Sequence, residues 1–151
     1  MMSRRSLLSV AALSSLPAAC SPLGALNGLN RITPGDGGVD QLVERVAFGD
    51  DPRQTLEVWA PKRRSGALPV IVFFYGGSWS SGLRDGYGFA ARALAARGFV
   101  VVVPDYRLVP QVRWPAFVED GAAALKWTFA NIASHGGDPA RVAVMGHSAG
   151  A

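Results

Sequence analysis

Residues 141–151 read RVAVMGHSAGA. The apolar run 142–145 has the composition of a strand buried on both faces of a parallel sheet. It leads directly into Gly146-His147-Ser148-Ala149-Gly150, a G-x-S-x-G pattern. Such a pattern places its serine on a sharp strand-to-helix turn, with Oγ lifted above the sheet edge and glycines where backbone segments approach closely. In a chain with 18 glycines the pattern alone is weak, and the preceding strand is what makes Ser148 a candidate nucleophile. A serine that merely capped a helix after a glycine turn would not need the second glycine.

Upstream, the chain alternates between buried strands and helices. Residues 68–75, LPVIVFFY, form a continuous β-branched and aromatic run, and FVVVV at 99–103 forms another. Between them, residues 86–97 carry Ala and Leu at helical spacing, with Gly98 as the expected cap. A second helix is expected over 116–133, burying Phe117, Ala122, Ala124 and Leu125, and a turn at 136–139 precedes the last strand. Strand–helix–strand–helix–strand predicts parallel strands joined by right-handed crossovers, an α/β fold. Before them, 43–48 and the alternating TLEVWA at 55–60 predict an antiparallel hairpin turning at Asp50-Asp51-Pro52.

The 151 residues suffice for one domain with a hydrophobic core, and the apolar share of 49% argues against disorder. The formal charge is +4, but Arg4 and Arg5 lie in a segment expected to be removed, leaving 13 basic residues against 11 acidic ones. Lys62-Arg63-Arg64 reads as a solvated turn. With no basic stripe interleaved with aromatics, nucleic acid is not an expected partner.

Residues 1–20 read as an export signal: a positive start, an apolar stretch from Leu7 to Ala19, and small residues at its end. That stretch is too short to span a bilayer. Ser3-Arg4-Arg5-Ser6-Leu7-Leu8 resembles both a twin-arginine signal and an ordinary Sec signal. Cys20, the only cysteine, excludes an internal disulfide. It resembles the lipidated cysteine of bacterial lipoproteins, although Pro17 stands where Leu is usual there. The alternative is a secretory signal cut near Ala19. Either way an exported, cell-envelope protein is expected, tethered by residues 21–38 to a domain over 40–151.

A second motif lies at the end of an earlier strand, Tyr75-Gly76-Gly77-Ser78-Trp79. Acyl transfer needs backbone N–H groups aimed at a developing oxyanion, and paired glycines leave such groups unobstructed. Gly76 and Gly77 are therefore candidate oxyanion donors, with the N–H of Ala149, directly after the candidate nucleophile, as the third. YGGSW, PDYRLVPQVRWPAFVEDGAAALKW (104–127) and GGDPARVAVMGHSAG (136–150) together resemble the α/β-hydrolase superfamily. The similarity is to its carboxylesterase branch with an H-G-G-x-W oxyanion loop, which includes feruloyl and acetylxylan esterases, hormone-sensitive-lipase-like enzymes and kynurenine formamidase. It covers about residues 40–151. The resemblance implies hydrolysis of carboxylic esters through an acyl-serine, with no metal or organic cofactor. Tyr75 departs from the family's histidine, so the hydrogen bonds supporting that loop must differ.

A serine nucleophile needs a histidine base and an orienting carboxylate. The resemblance implies that both follow the nucleophile, beyond Ala151, so the chain reads as the N-terminal part of a longer enzyme. His147 is expected to pack, and His135, in a second H-G-G, to belong to a helix cap. Asp105 is expected to hold a loop through Arg107 or nearby amides, Asp120 to pack or pair locally, and Asp85 to line the site entrance. Trp79 and Tyr106 are candidate pocket walls. An amidase or formamidase, or a shortened hydrolase-like domain without catalysis, are the alternatives.

Overall fold

The computed structural model describes Gly28 and residues 37–151. The expected export signal, Cys20 and nearly all of the tether lie outside the described residues. Five strands form one sheet: β1 (Val39–Ala47), β2 (Thr55–Pro61), β3 (Leu68–Phe74), β4 (Val100–Pro104) and β5 (Gly137–Gly146). Within residues 37–151 two α-helices accompany them, α1 (Gly88–Ala95) and α2 (Ala116–Asn131). The sheet order is β1-β2-β4-β3-β5. β1, β2 and β4 pair antiparallel, whereas β3 pairs parallel with both β4 and β5.

This order fixes where chemistry can occur. The chain steps from β3 to β4 on one side, then crosses back over β3 to reach β5 on the other. Right-handed crossovers in opposite directions put their helices on opposite faces. Alternate β3 side chains bear this out: Phe73 meets Tyr87, next to α1, at 5.7 Å between ring centroids, while Phe74 lies against Gly121 of α2. The reversal opens a crevice at the C-terminal ends of β3 and β5, where ligands bind in open α/β sheets. The candidate motifs sit on those two ends.

The core is the sheet interior. Val72 and all four valines of β4 are fully buried, as their continuous apolar runs predict, and so are Leu56 and Val58 of the alternating β2, whose Glu57 is buried as well. The hairpin turn forms as expected, with Asp51 Oδ1 accepting from the Arg53 amide at 2.8 Å.

Elsewhere the structure departs from the expectations. β1 begins at Val39, four residues before the expected strand. The first helix opens as a 3-10 turn (Arg84–Tyr87) and ends at Ala95; Gly98 takes the left-handed turn beyond it, at φ 93°. The expected 136–139 turn is partly absorbed into β5. Leu68 pairs with Gly137 and Val70 with Val142, so Asp138–Arg141 bulge out, held by Asp138 Oδ1 on the Ala140 amide. Among the described residues β5 has a strand neighbour on one side only, and its Val144 is 59% and Met145 41% exposed. In α2 the fully buried stripe is Asp120, Ala124 and Thr128; Phe117 and Leu125 are half-buried and Ala122 is exposed. A carboxylate at the centre of that stripe defeats a reading based on apolar spacing.

Candidate active site

β5 delivers Ser148 to the crevice. The His147 amide donates to the Phe74 carbonyl at 3.0 Å, extending the β3 pairing by one residue, and the chain then turns sharply. Ser148 takes φ 54°, a left-handed conformation that costs a non-glycine residue roughly 1–3 kcal/mol. A short 3-10 turn, Ser148–Gly150, follows. A Cβ on Gly150 would lie 2.6 Å from the Tyr75 carbonyl oxygen, and one on Gly146 would lie 2.6 Å from the Gly150 carbonyl carbon. Both motif glycines are therefore packing requirements of the turn.

The YGGSW loop meets this turn from β3. A Cβ on Gly76 would lie 2.9 Å from Ser148 Cβ, so the two motifs are in direct apposition. Ser78 and Trp79 are also left-handed, at φ 54° and 57°, and the Ser80 and Ser81 amides close back onto the Gly77 carbonyl. Of the three candidate oxyanion donors, the Gly76 amide already has an acceptor, the Tyr87 hydroxyl, in a long bond of 3.3 Å. Among the described residues, the Gly77 and Ala149 amides have no intramolecular acceptor.

Beneath the loop lies a buried polar cluster. Tyr75 is fully buried; its hydroxyl donates to Asp105 Oδ1 at 2.6 Å and accepts from Arg53 Nη2 at 2.9 Å. Asp105 also takes the Arg84 amide on Oδ1 and the Arg84 guanidinium on Oδ2. Asp105 thus holds a loop as expected, but through Arg84 and Tyr75 and not through Arg107. Arg107 instead forks onto Asp120, bonding both carboxylate oxygens, and Gln54 Nε2 adds a bond of 2.7 Å. Asp120 is thus packed away from solvent, as one of the two expectations had it, while its partners are distant in sequence, tying α2 to the segment after β4 and to the hairpin. Burial raises the Asp120 pKa, but the bonds from Arg107 and Gln54 outweigh it and hold the carboxyl below its ordinary value. Burial, with the Asp105 charge, raises the Tyr75 phenol well above its ordinary value, and burial lifts Tyr106 to about 12.

Neither histidine stands ready as a base. His147 Nδ1 is 3.0 Å from the Tyr87 hydroxyl, and its ring packs on Tyr87. His135 stacks on Trp127 beyond the end of α2, and Gly136 behind it is a left-handed cap at φ 80°, at the opposite end of β5 from Ser148.

An apolar cleft of about 610 Å³ runs from Ala149 and Gly150 between α2 and β5. Trp79 and Tyr106 both line it, joined by Trp114, Phe117 and Val118. Asp85 is not there. It lines a second, polar cleft with Gln41, Glu57 and Arg84 on the α1 side. Glu57 is a buried carboxyl in that cleft, accepting from Gln41 Nε2 at 2.9 Å. Burial raises its pKa from 4.5 to about 7, and nearby Trp59 and Arg84 offset only part of the rise. The native state thus keeps a proton that the unfolded chain releases near pH 4.5. Stability should fall as pH rises from about 4.5 to 7, by at most about 3 kcal/mol, and stay level above. Glu57→Gln should remove that slope and raise the melting temperature at pH 8 but not at pH 4; an unchanged difference between the two pH values would contradict this.

A strand-mounted serine on a left-handed turn, faced by a glycine loop at the switch point of a mixed sheet, is the nucleophile-turn arrangement of the α/β-hydrolase fold. The chain belongs to the BD-FAE family, whose family model matches residues 56–151. It is 44% identical over 108 residues to esterase LipC of Mycobacterium tuberculosis, covering 70% of this chain and 27% of that protein. It is 40% identical over 111 residues to a probable isoprenylcysteine alpha-carbonyl methylesterase of Oryza sativa subsp. japonica, covering 74% and 26%. Among solved structures, esterase B from Lactobacillus rhamnosis superposes with a TM-score of 0.74 at 28% identity, over 83% of this chain and 41% of that one. The chain spans little more than a quarter of the length of the curated relatives it matches.

Proposed function

We propose that this chain carries the nucleophile and oxyanion loop of an enzyme that hydrolyses carboxylic esters. Ser148 Oγ attacks the acyl carbon and its proton passes to a histidine. The tetrahedral oxyanion is held by backbone amides, the alcohol leaves with that proton, and water then releases the acid from acyl-Ser148. The reading rests on one observation above the rest, the apposition of left-handed Ser148 with Gly76. Gly77 and Ala149 serve as oxyanion donors with their amides as they stand, and Gly76 joins them on exchanging Tyr87 for the oxyanion. The base and its orienting acid come from outside residues 37–151. Trp79 and Tyr106, which line the apolar cleft together with Ala149, wall the acyl side. Such acyl transfer requires no metal or organic cofactor.

The same reading extends to residues outside the described part. Residues 1–20 direct export, Cys20 is lipidated, and 21–38 tether the domain over 40–151 to the membrane of a bacterial envelope. The test of function is a substrate series on the protein as its own cell makes it: p-nitrophenyl esters of increasing acyl length against matched anilides. Faster turnover of the esters is expected. Preference for the anilides would favour an amidase, and no turnover of either would favour a non-catalytic domain.

A further inference from the structure

The loop over 76–79 is held in a conformation it would not keep by itself, since Ser78 and Trp79 are consecutive non-glycine residues in the left-handed region. What holds it converges on one side chain. At the entrance of the loop, the Tyr75 ring is stacked on Tyr106 at 4.8 Å and on Tyr87 at 5.7 Å, and the Tyr75 carbonyl accepts from the Tyr106 hydroxyl at 2.7 Å. At the exit, Arg53 Nη2 donates both to the Gly82 carbonyl and to the Tyr75 hydroxyl, at 2.9 Å each. The Arg84 amide and the Tyr75 hydroxyl share Asp105 Oδ1. Gly82 also sits on the Tyr75 ring, where a Cβ would lie 2.8 Å from Cε2. Both ends of the 76–83 segment are thus closed through a single phenol oxygen.

We propose that Tyr75, with Arg53 and Asp105, is the positioning residue that locks the oxyanion loop against Ser148, replacing the histidine that the family resemblance leads one to expect. The inference rests on Ser148 being the nucleophile. A phenol oxygen donates and accepts at the same atom, which a neutral imidazole nitrogen cannot do. It can therefore join the Asp105 carboxylate, bonded to the Arg84 amide, and the Arg53 guanidinium, bonded to the Gly82 carbonyl, and so tie the exit of the loop to its entrance. Since Tyr75 touches no reacting atom, its contribution is to keep the Gly77 amide in register. Donors that act on the oxyanion change kcat more than substrate binding.

The test uses Tyr75→Phe and, because it perturbs a less buried group, Arg53→Met, each introduced into the native gene. Hydrogen exchange of a peptide spanning 76–83 and kinetics on p-nitrophenyl acetate are both measured. In both variants the loop amides should exchange at least about 10-fold faster while β3 and β4 peptides are unchanged. In both, kcat should fall by about 10- to 100-fold with KM within about 3-fold. Unchanged loop exchange, acceleration spread evenly over the sheet, or a loosened loop with unchanged kcat would each overturn the proposal. Failure of the Ser148 reading has a different signature, an unsubstituted protein without Ser148-dependent turnover, and in that case the activity role of Tyr75 falls with it.

Discussion

Ser148→Ala, introduced into the native gene, should lower kcat/KM on p-nitrophenyl acetate by about 10⁴-fold or more. The loss should fall on kcat, because Oγ forms its decisive bond only in the reaction. What remains would be the weak catalysis of the oxyanion amides and of binding. Structure should be preserved. Ser148 is exposed, its side chain fills no core space, and alanine retains the same left-handed turn. A change in stability of no more than about 0.5 kcal/mol is therefore expected. Circular dichroism and a melting curve check that half, and steady-state kinetics the other. A well-folded variant keeping more than about a hundredth of the activity would remove Ser148 from the mechanism.

The largest effect on stability should come from Asp105→Ala. Asp105 is buried and holds the Arg84 guanidinium, the Arg84 amide and the Tyr75 hydroxyl at once. Removing the carboxylate strands a buried cation and a buried hydroxyl. The remaining acidic neighbour of Arg84 is Glu57, 3.8 Å from Nε, and burial favours its neutral form. Breaking one side of a buried pair costs about 3–5 kcal/mol, and that range is the expected loss here. Urea unfolding should show the midpoint falling with little change in slope. A loss below about 1 kcal/mol would mean that Glu57 ionises and takes over Arg84. The double substitution with Glu57→Gln would then restore the full penalty.

The sequence was most legible where a pattern is local. Apolar runs located β3 and β4, alternation located β2, and the glycine spacing around Ser148 anticipated a turn whose glycines prove to be steric necessities. It was least legible where partners lie far apart in the chain. Tyr75 is separated by 30 residues from Asp105 and by 22 from Arg53, and no local periodicity signals such bonds. Asp105 was singled out for its place after β4, yet its partner could not be read, because Arg107 was nearer in sequence than Arg84. The partners of Asp120, Arg107 and Gln54, were hidden in the same way. The strand order also escaped: β–α–β alternation specifies parallel pairing and handedness, but not that β5 returns to the far side of β3.

The most direct test of Ser148 as the nucleophile is covalent. The protein isolated from its own cells would be treated with an alkyl phosphonate that reacts only with activated serines, then digested and mapped by mass spectrometry. One phosphonate per chain is predicted, on the peptide containing Gly146-His147-Ser148, with ester hydrolysis lost in proportion. Hydrolysis that survives with Ser148 unmodified, or an adduct on another serine that tracks the loss, would contradict it.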